Sequence, residues 1–115
     1  LVGHLAAVTA TLSREASIEE VAEALEGFRG LPQQLELPTA PPRPVVVREE
    51  VDRPQPRLDA GSNDRSGMVV HVGRLRKGSL ERTVKFVSLT NNLVRGAAGI
   101  AILTAELLKA TGRLG

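Results

Sequence analysis

Apolar positions along the chain follow two different periods. Residues 2 to 12 carry Leu5, Val8 and the β-branched Thr9 and Thr11, a loosely alternating pattern that predicts a strand. Ile18, Val21, Ala22, Leu25 and Phe28 then recur at helical spacing and form one stripe, with Glu19, Glu20, Glu23 and Glu26 off it. Ser17 and Glu20 have the spacing of a capping box, which fixes the helix start, and Gly27 or Gly30 ends it. Met68 to Leu75 and Thr83 to Leu89 return to a strand pattern, and Lys77-Gly78-Ser79 supplies turn chemistry for a long antiparallel hairpin. From Leu93 to Ala110 the pattern is helical again, with Asn91 or Asn92 as N-cap and Gly112 beyond the end. That last helix has almost no polar face and therefore expects burial on most sides. Its first turns, Gly96-Ala97-Ala98-Gly99, are small enough for close approach of another backbone or a ligand.

All 7 prolines lie between Pro32 and Pro56. Leu31 to Pro44 is accordingly expected to be an extended connector through which no helix runs. Val45-Val46-Val47 reads as a short strand, and Asp59 to Gly67 as a turn-rich loop. The order β-α-β-β-β-α predicts an α+β fold, a mostly antiparallel or mixed sheet with two helices.

Composition narrows the chemistry. The 115 residues are about the modal length of one domain. A net charge of +2 gives no surplus of cations for nucleic acid or an anionic membrane, and Phe28 and Phe86 are too few aromatics for a base-stacking platform. The absence of cysteine removes disulfides, thiolate metal sites and thiol nucleophiles, while His4 and His71 are too few for most histidine metal sites. No run of eighteen apolar residues is present and no basic-then-apolar leader opens the chain. A start on a strand-like segment without Met suggests a processed or excised piece.

Candidate chemistry is sparse. No G-x-G-x-x-G follows a strand, so a dinucleotide fold within this chain is not expected. Gly73-Arg74-Leu75-Arg76-Lys77 is either a strand end that meets an anion or a solvated hairpin tip, the second being simpler. Arg53, Arg57 and Asp59 around two prolines suggest either a structural ion-pair corner or an interface loop, the first being the favoured reading. His71, between Val70 and Val72, occupies the face opposite them. His4 follows Gly3, whose missing side chain leaves room for a substrate, and is the one residue with an evident proton-transfer option.

Three segments together carry a resemblance. They are Arg53-Pro54-Gln55-Pro56-Arg57-Leu58-Asp59, then Gly67-Met68-Val69-Val70-His71-Val72-Gly73-Arg74-Leu75-Arg76, then Lys85 through Gly99 continuing to Leu108. In this order they resemble the C-terminal end of aspartate-semialdehyde dehydrogenases of the archaeal and fungal branch. Val2-Gly3-His4-Leu5-Ala6-Ala7-Val8 is similar to that family's segment around its active-site histidine.

The resemblance implies a C-terminal catalytic and dimerisation segment over residues 1–115, in which the helix 93–110 packs on an NADP-binding domain outside this chain. It implies NADPH-dependent reduction of L-4-aspartyl phosphate to L-aspartate 4-semialdehyde, on the route to lysine, threonine and methionine. A family cysteine forms the acyl-thioester and a histidine serves as acid/base. Carried onto this sequence, His4 matches the acid/base and Asn92 matches a cofactor contact, with no metal involved. Arg53, Arg57 and Arg74 match family blocks without an assigned step. The implied partners are a small acyl-phosphate substrate and a second copy of the protein, as dimer or tetramer, in the cytoplasm, with neither nucleic acid nor membrane. The family's cysteine, glycine-rich cofactor loop and substrate-binding arginine all lie outside these residues, so the chain alone is expected to be inactive. Two alternatives stay open. The sister N-acetyl-gamma-glutamyl-phosphate reductases share the block at 92–99 but not the other two, and a non-catalytic oligomerisation domain could retain the fold alone.

Overall fold

The computed structural model describes residues 3–61 and 66–114. Val2 of the first strand pattern and the centre of the loop between Asp59 and Gly67 lie outside the described residues. The elements follow as β1 (Gly3–Thr11), α1 (Ile18–Glu26), α2 (Leu31–Gln34), β2 (Val45–Val47), α3 (Pro56–Asp59), β3 (Val70–Lys77), β4 (Thr83–Asn91) and α4 (Gly99–Ala110). One 3-10 turn, Ser66–Met68, precedes β3, and a π-helical turn, Val94–Ala98, leads into α4. The strands form one mixed sheet in the order β1-β4-β3-β2, antiparallel except for the β2–β3 pair. The architecture is α+β, as the pattern implied.

Two helices more than expected are present, each of a single turn. Leu31–Gln34 overturns the reading of 31–44 as a wholly extended connector. Pro32 occupies the first turn of α2, where its missing N–H has no partner to lose, and Gln33 Oε1 accepts from Gly30 N at 2.8 Å. Pro56 opens α3 in the same way. The basic run Gly73–Lys77 is part of β3 and not the hairpin tip, which lies further on, where Gly78 N donates to Thr83 O at 2.8 Å. Arg74 has φ 54°, and the pairing with β4 slips between Gly73 and Arg76, a bulge of the kind that re-aims side chains.

At the start of α1, Ser17 Oγ accepts from Glu20 N at 3.1 Å, one half of the capping box its spacing implied. The Glu20 carboxylate pairs with Arg14 at 3.2 Å. The helix lies along β2 and β3, and its last residue closes the free edge of the sheet. Glu26 Oε1 accepts from Val47 N at 2.6 Å and its other oxygen pairs with Arg43. That backbone N–H holds the Glu26 carboxyl below its ordinary pKa.

A hydrophobic cluster holds α4. Leu103 is buried with Met68, Leu37 and Ala40, and Val94 and Leu107 close the cluster. Glu106 accepts from Thr39 N at 3.0 Å and from Thr39 Oγ1 at 2.5 Å, tying α4 to the proline-rich segment. A Cβ on Gly99 would stand 2.5 Å from Met68 Sδ, so this glycine is needed for packing inside the chain. The rest of α4 is not enclosed. Ile100 is 37% and Ile102 53% exposed, against the burial its composition calls for.

Candidate functional site

The antiparallel register places Gly3 opposite Asn91 and His4 opposite Thr90. His4 and Asn92, separate in sequence by most of the chain, thus come to one end of the β1–β4 ladder. Both are exposed. The two side chains singled out from sequence share one locale, at the sheet end where β4 passes into the terminal helix.

This end is built by the proline-flanked segment. A Cβ on Gly3 would meet Pro56 Cβ at 2.7 Å and Leu89 Cδ1 at 2.9 Å, so α3 packs directly on the strand start that carries His4. A Cβ on Gly73 would meet Pro54 Cδ at 2.6 Å. The Arg53-to-Asp59 block and the block around Gly73 are therefore one structural unit, with the glycine yielding space to the turn. The Arg53–Pro54 peptide within it is cis.

Asp59 is the hub of that unit. Its side chain is fully buried and accepts from Arg53 Nε at 2.8 Å, from Arg53 Nη2, and from Gln55 N at 2.8 Å. Arg48 Nη2 lies 3.2 Å away. The Arg53 hydrogen bonds lower the Asp59 pKa to about 2, against the opposing effect of burial. In turn, Asp59 raises the pKa of Arg53. The structural ion-pair corner is thus present, with Arg53 as its cation, whereas Arg57 is exposed.

His71 belongs to the same cluster. It is buried, its Nδ1 accepts from Arg48 Nε at 3.3 Å, and the same atom lies 4.0 Å from Asp59 Oδ1. Burial first, and the Arg48 charge second, push its pKa down. An imidazole accepting at Nδ1 is held neutral, in a structural role, while His4 is the histidine open to solvent.

The sequence left Asn91 and Asn92 as equal candidates for the N-cap, and the structure separates them. Asn91 Oδ1 accepts from Leu93 N and Val94 N, both at 2.9 Å. Asn91 Nδ2 donates to Ala60 O at 3.1 Å and Gly61 O at 3.3 Å. Asn91 is the cap, and Asn92 is left at the surface. Beside it Gly96, Ala97 and Ala98 are all exposed. A Cβ on Gly96 would find its nearest neighbour, Asn91 O, at 3.6 Å, so packing within this chain does not require the glycine. The surface next to Asn92 is open and low, which suits close approach of a bulky ligand.

A groove of about 820 Å³ between α1 and the β2–β3 edge is lined by Ile18, Ala22, Val47, Arg48, Arg74 and Leu75 among others, but by neither His4 nor Asn92. Among the described residues no group of three or more His, Asp and Glu is placed to hold a metal ion, and no helix is long and apolar enough to cross a membrane.

Known proteins are similar to this chain in sequence and fold. Aspartate-semialdehyde dehydrogenase of Methanothermobacter thermautotrophicus is 50% identical over 107 residues, covering 92% of this chain and 30% of its own length. The NADP malonyl-CoA reductase of Metallosphaera sedula is 44% identical over 110 residues, covering 96% of this chain and 30% of its own. A crystal structure of the Candida albicans aspartate-semialdehyde dehydrogenase with NADP superposes with a TM-score of 0.83 at 36% identity, over 97% of this chain and 31% of that one. The chain spans about 30% of the length of the curated relatives it matches. Residues 1–95 match the family described as semialdehyde dehydrogenase, dimerisation domain, and to that family this chain belongs.

Proposed function

We propose that these residues are the C-terminal catalytic and dimerisation segment of an NADP-dependent aspartate-semialdehyde dehydrogenase. The full-length protein would convert L-4-aspartyl phosphate to L-aspartate 4-semialdehyde and phosphate, serving lysine, threonine and methionine synthesis in the cytoplasm as a homo-oligomer. The observation that carries this reading is the β1–β4 register, which sets His4 and Asn92 at one end of the sheet.

In this reading His4 is the acid/base. It takes a proton from the attacking thiol, which lies outside these residues, and returns one to the group that leaves. An exposed imidazole at the start of a strand, with Gly3 before it, is accessible for both transfers. Asn92 contacts the cofactor, and the exposed small residues 96–98 allow the dinucleotide to come close. NADPH, when bound, supplies the hydride. The apolar faces left open on α4 pack on the cofactor domain, which lies outside these residues. Arg53 and Asp59 hold the proline turn that supports the start of β1.

A second reading has its own support, because the malonyl-CoA reductase is nearly as similar as the dehydrogenase. That relative is named for an acyl thioester of coenzyme A, and the acid/base need is the same. Purified full-length protein assayed for NADP reduction with aspartate semialdehyde and phosphate, and for NADPH oxidation with malonyl-CoA, separates the two. Phosphate-dependent turnover of the semialdehyde is expected. Activity on malonyl-CoA alone transfers the assignment to the reductase, and activity on neither rejects both.

A further inference from the structure

We infer that Asn91 is a positioning residue for cofactor binding, acting through the backbone of Asn92; the inference rests on the reading just given. Asn91 is 4% exposed, and all of its side-chain hydrogen-bonding groups point inward. Its carboxamide is a joint between three elements. The main chain is in register with Gly3 of β1, the amide nitrogen holds the carbonyls of Ala60 and Gly61 after α3, and the amide oxygen collects the N–H groups of Leu93 and Val94.

The consequence falls on Asn92. Its backbone is fixed on one side by the last β4 residue and on the other by the N–H of Leu93, held at 2.9 Å. Neither the π-helical turn nor α4 has another side-chain cap. Without the Asn91 oxygen, two N–H groups at the head of this helical segment lose their acceptor, and Asn92 and Leu93, between β4 and the turn, are free to reorient. The loss is local to the face that Asn92 presents. His4 is held by the β1–β4 ladder itself and keeps its place.

The two ends of the carboxamide are separable by substitution. Asn91→Asp retains the oxygen that caps the turn and loses the donors to residues 60 and 61. Asn91→Ala loses both. In the full-length protein, the KM for NADP in the semialdehyde-oxidising direction is expected to rise about five- to tenfold in Asn91→Ala. The same variant keeps kcat within about twofold. In Asn91→Asp, KM is expected to stay within about twofold of the parent although melting temperature falls in both variants. A merely structural role predicts otherwise, with KM following melting temperature across the pair; that pattern, or an unchanged KM in Asn91→Ala, overturns the inference. Should Asn91→Ala yield no folded protein, Asn91→Ser replaces it. Its shorter hydroxyl reaches one of the two N–H groups, a two- to threefold rise is expected, and an unchanged KM again overturns the proposal. NADP affinity measured by fluorescence on the same samples distinguishes the two levels of failure. A parent protein that binds no NADP refutes the dehydrogenase reading itself, whereas a parent that binds NADP as tightly as Asn91→Ala does refutes only the role of Asn91.

Discussion

His4 faces Thr90 across the β1–β4 ladder, which leaves it two residues short of Asn92 at the same sheet end. The pair divides the proposed chemistry between proton transfer and cofactor contact, and the division has a kinetic signature. In the full-length protein His4→Ala is expected to lower the proposed activity's kcat by about two to four decades and leave the NADP Kd nearly unchanged. Asn92→Ala is expected to do the reverse, weakening NADP more than the substrate. Steady-state kinetics with aspartate semialdehyde and NADP, alongside cofactor titration, checks both. Undiminished turnover in the histidine variant removes its acid/base role.

Asp59 carries the support beneath that site, and its ionisation gives a pH signature. Its folded pKa is about 2 against an ordinary 3.8. The group is depressed, so its stabilisation is complete above pH 3.8 and is lost as pH falls through about 2. The difference amounts to about 2 kcal/mol. Asp59→Asn is expected to cost about 2–4 kcal/mol near neutrality, because it strands the Arg53 and Arg48 cations beside a neutral amide. It also flattens the acid dependence in that window. Arg57→Ala, at an exposed position of the same segment, is expected to stay within about 0.5 kcal/mol. Urea midpoints across pH read all three.

The proline-flanked segment shows what was legible in the sequence and what was not. Spacing alone carried the Ser17 cap, the hairpin, the succession of strands along the chain and the Arg53–Asp59 corner, because each is set by residues near one another in the chain. The short helices at Pro32 and Pro56 were hidden because proline is excluded from helix interiors yet suits the first turn. The cluster's other members, Arg48 and His71, are joined only by the parallel pairing of β2 with β3, a long-range relationship that periodicity does not encode. For the same reason Asn91 and Asn92 look equivalent as letters. What tells them apart is the nearness of Ala60 and Gly61, which is a property of the tertiary structure.

His71 gives a second, earlier acid window. Its pKa is lowered from 6.5 by burial and by Arg48. Stability is therefore full above pH 6.5 and falls as pH drops through the depressed value, where the folded state must accept a buried charge. His71→Gln keeps a side-chain acceptor for Arg48 and cannot titrate. Its melting temperature is expected to show no decline in the window where the parent first begins to fall. A parallel decline in the variant would place the titrating group elsewhere.

The last helix offers a test of what covers it. Leu103 packs with Met68, Leu37 and Ala40, but Ile100 and Ile102 are open to solvent within these residues. An apolar helix face left exposed marks an interaction surface. In the full-length protein that surface is proposed to meet the cofactor domain, so its burial depends on residues outside this chain. Ile102→Asp is accordingly expected to be nearly neutral in the isolated 115-residue segment, within about 0.5 kcal/mol. In the full-length protein it would place a charge in an apolar contact and lower stability by about 2 kcal/mol or more. The comparison needs both forms, each melted with and without NADP. Equal small effects in both leave Ile102 at a free surface and refute the packing of α4 on the cofactor domain. A large loss confined to the longer protein follows only if the helix is covered there.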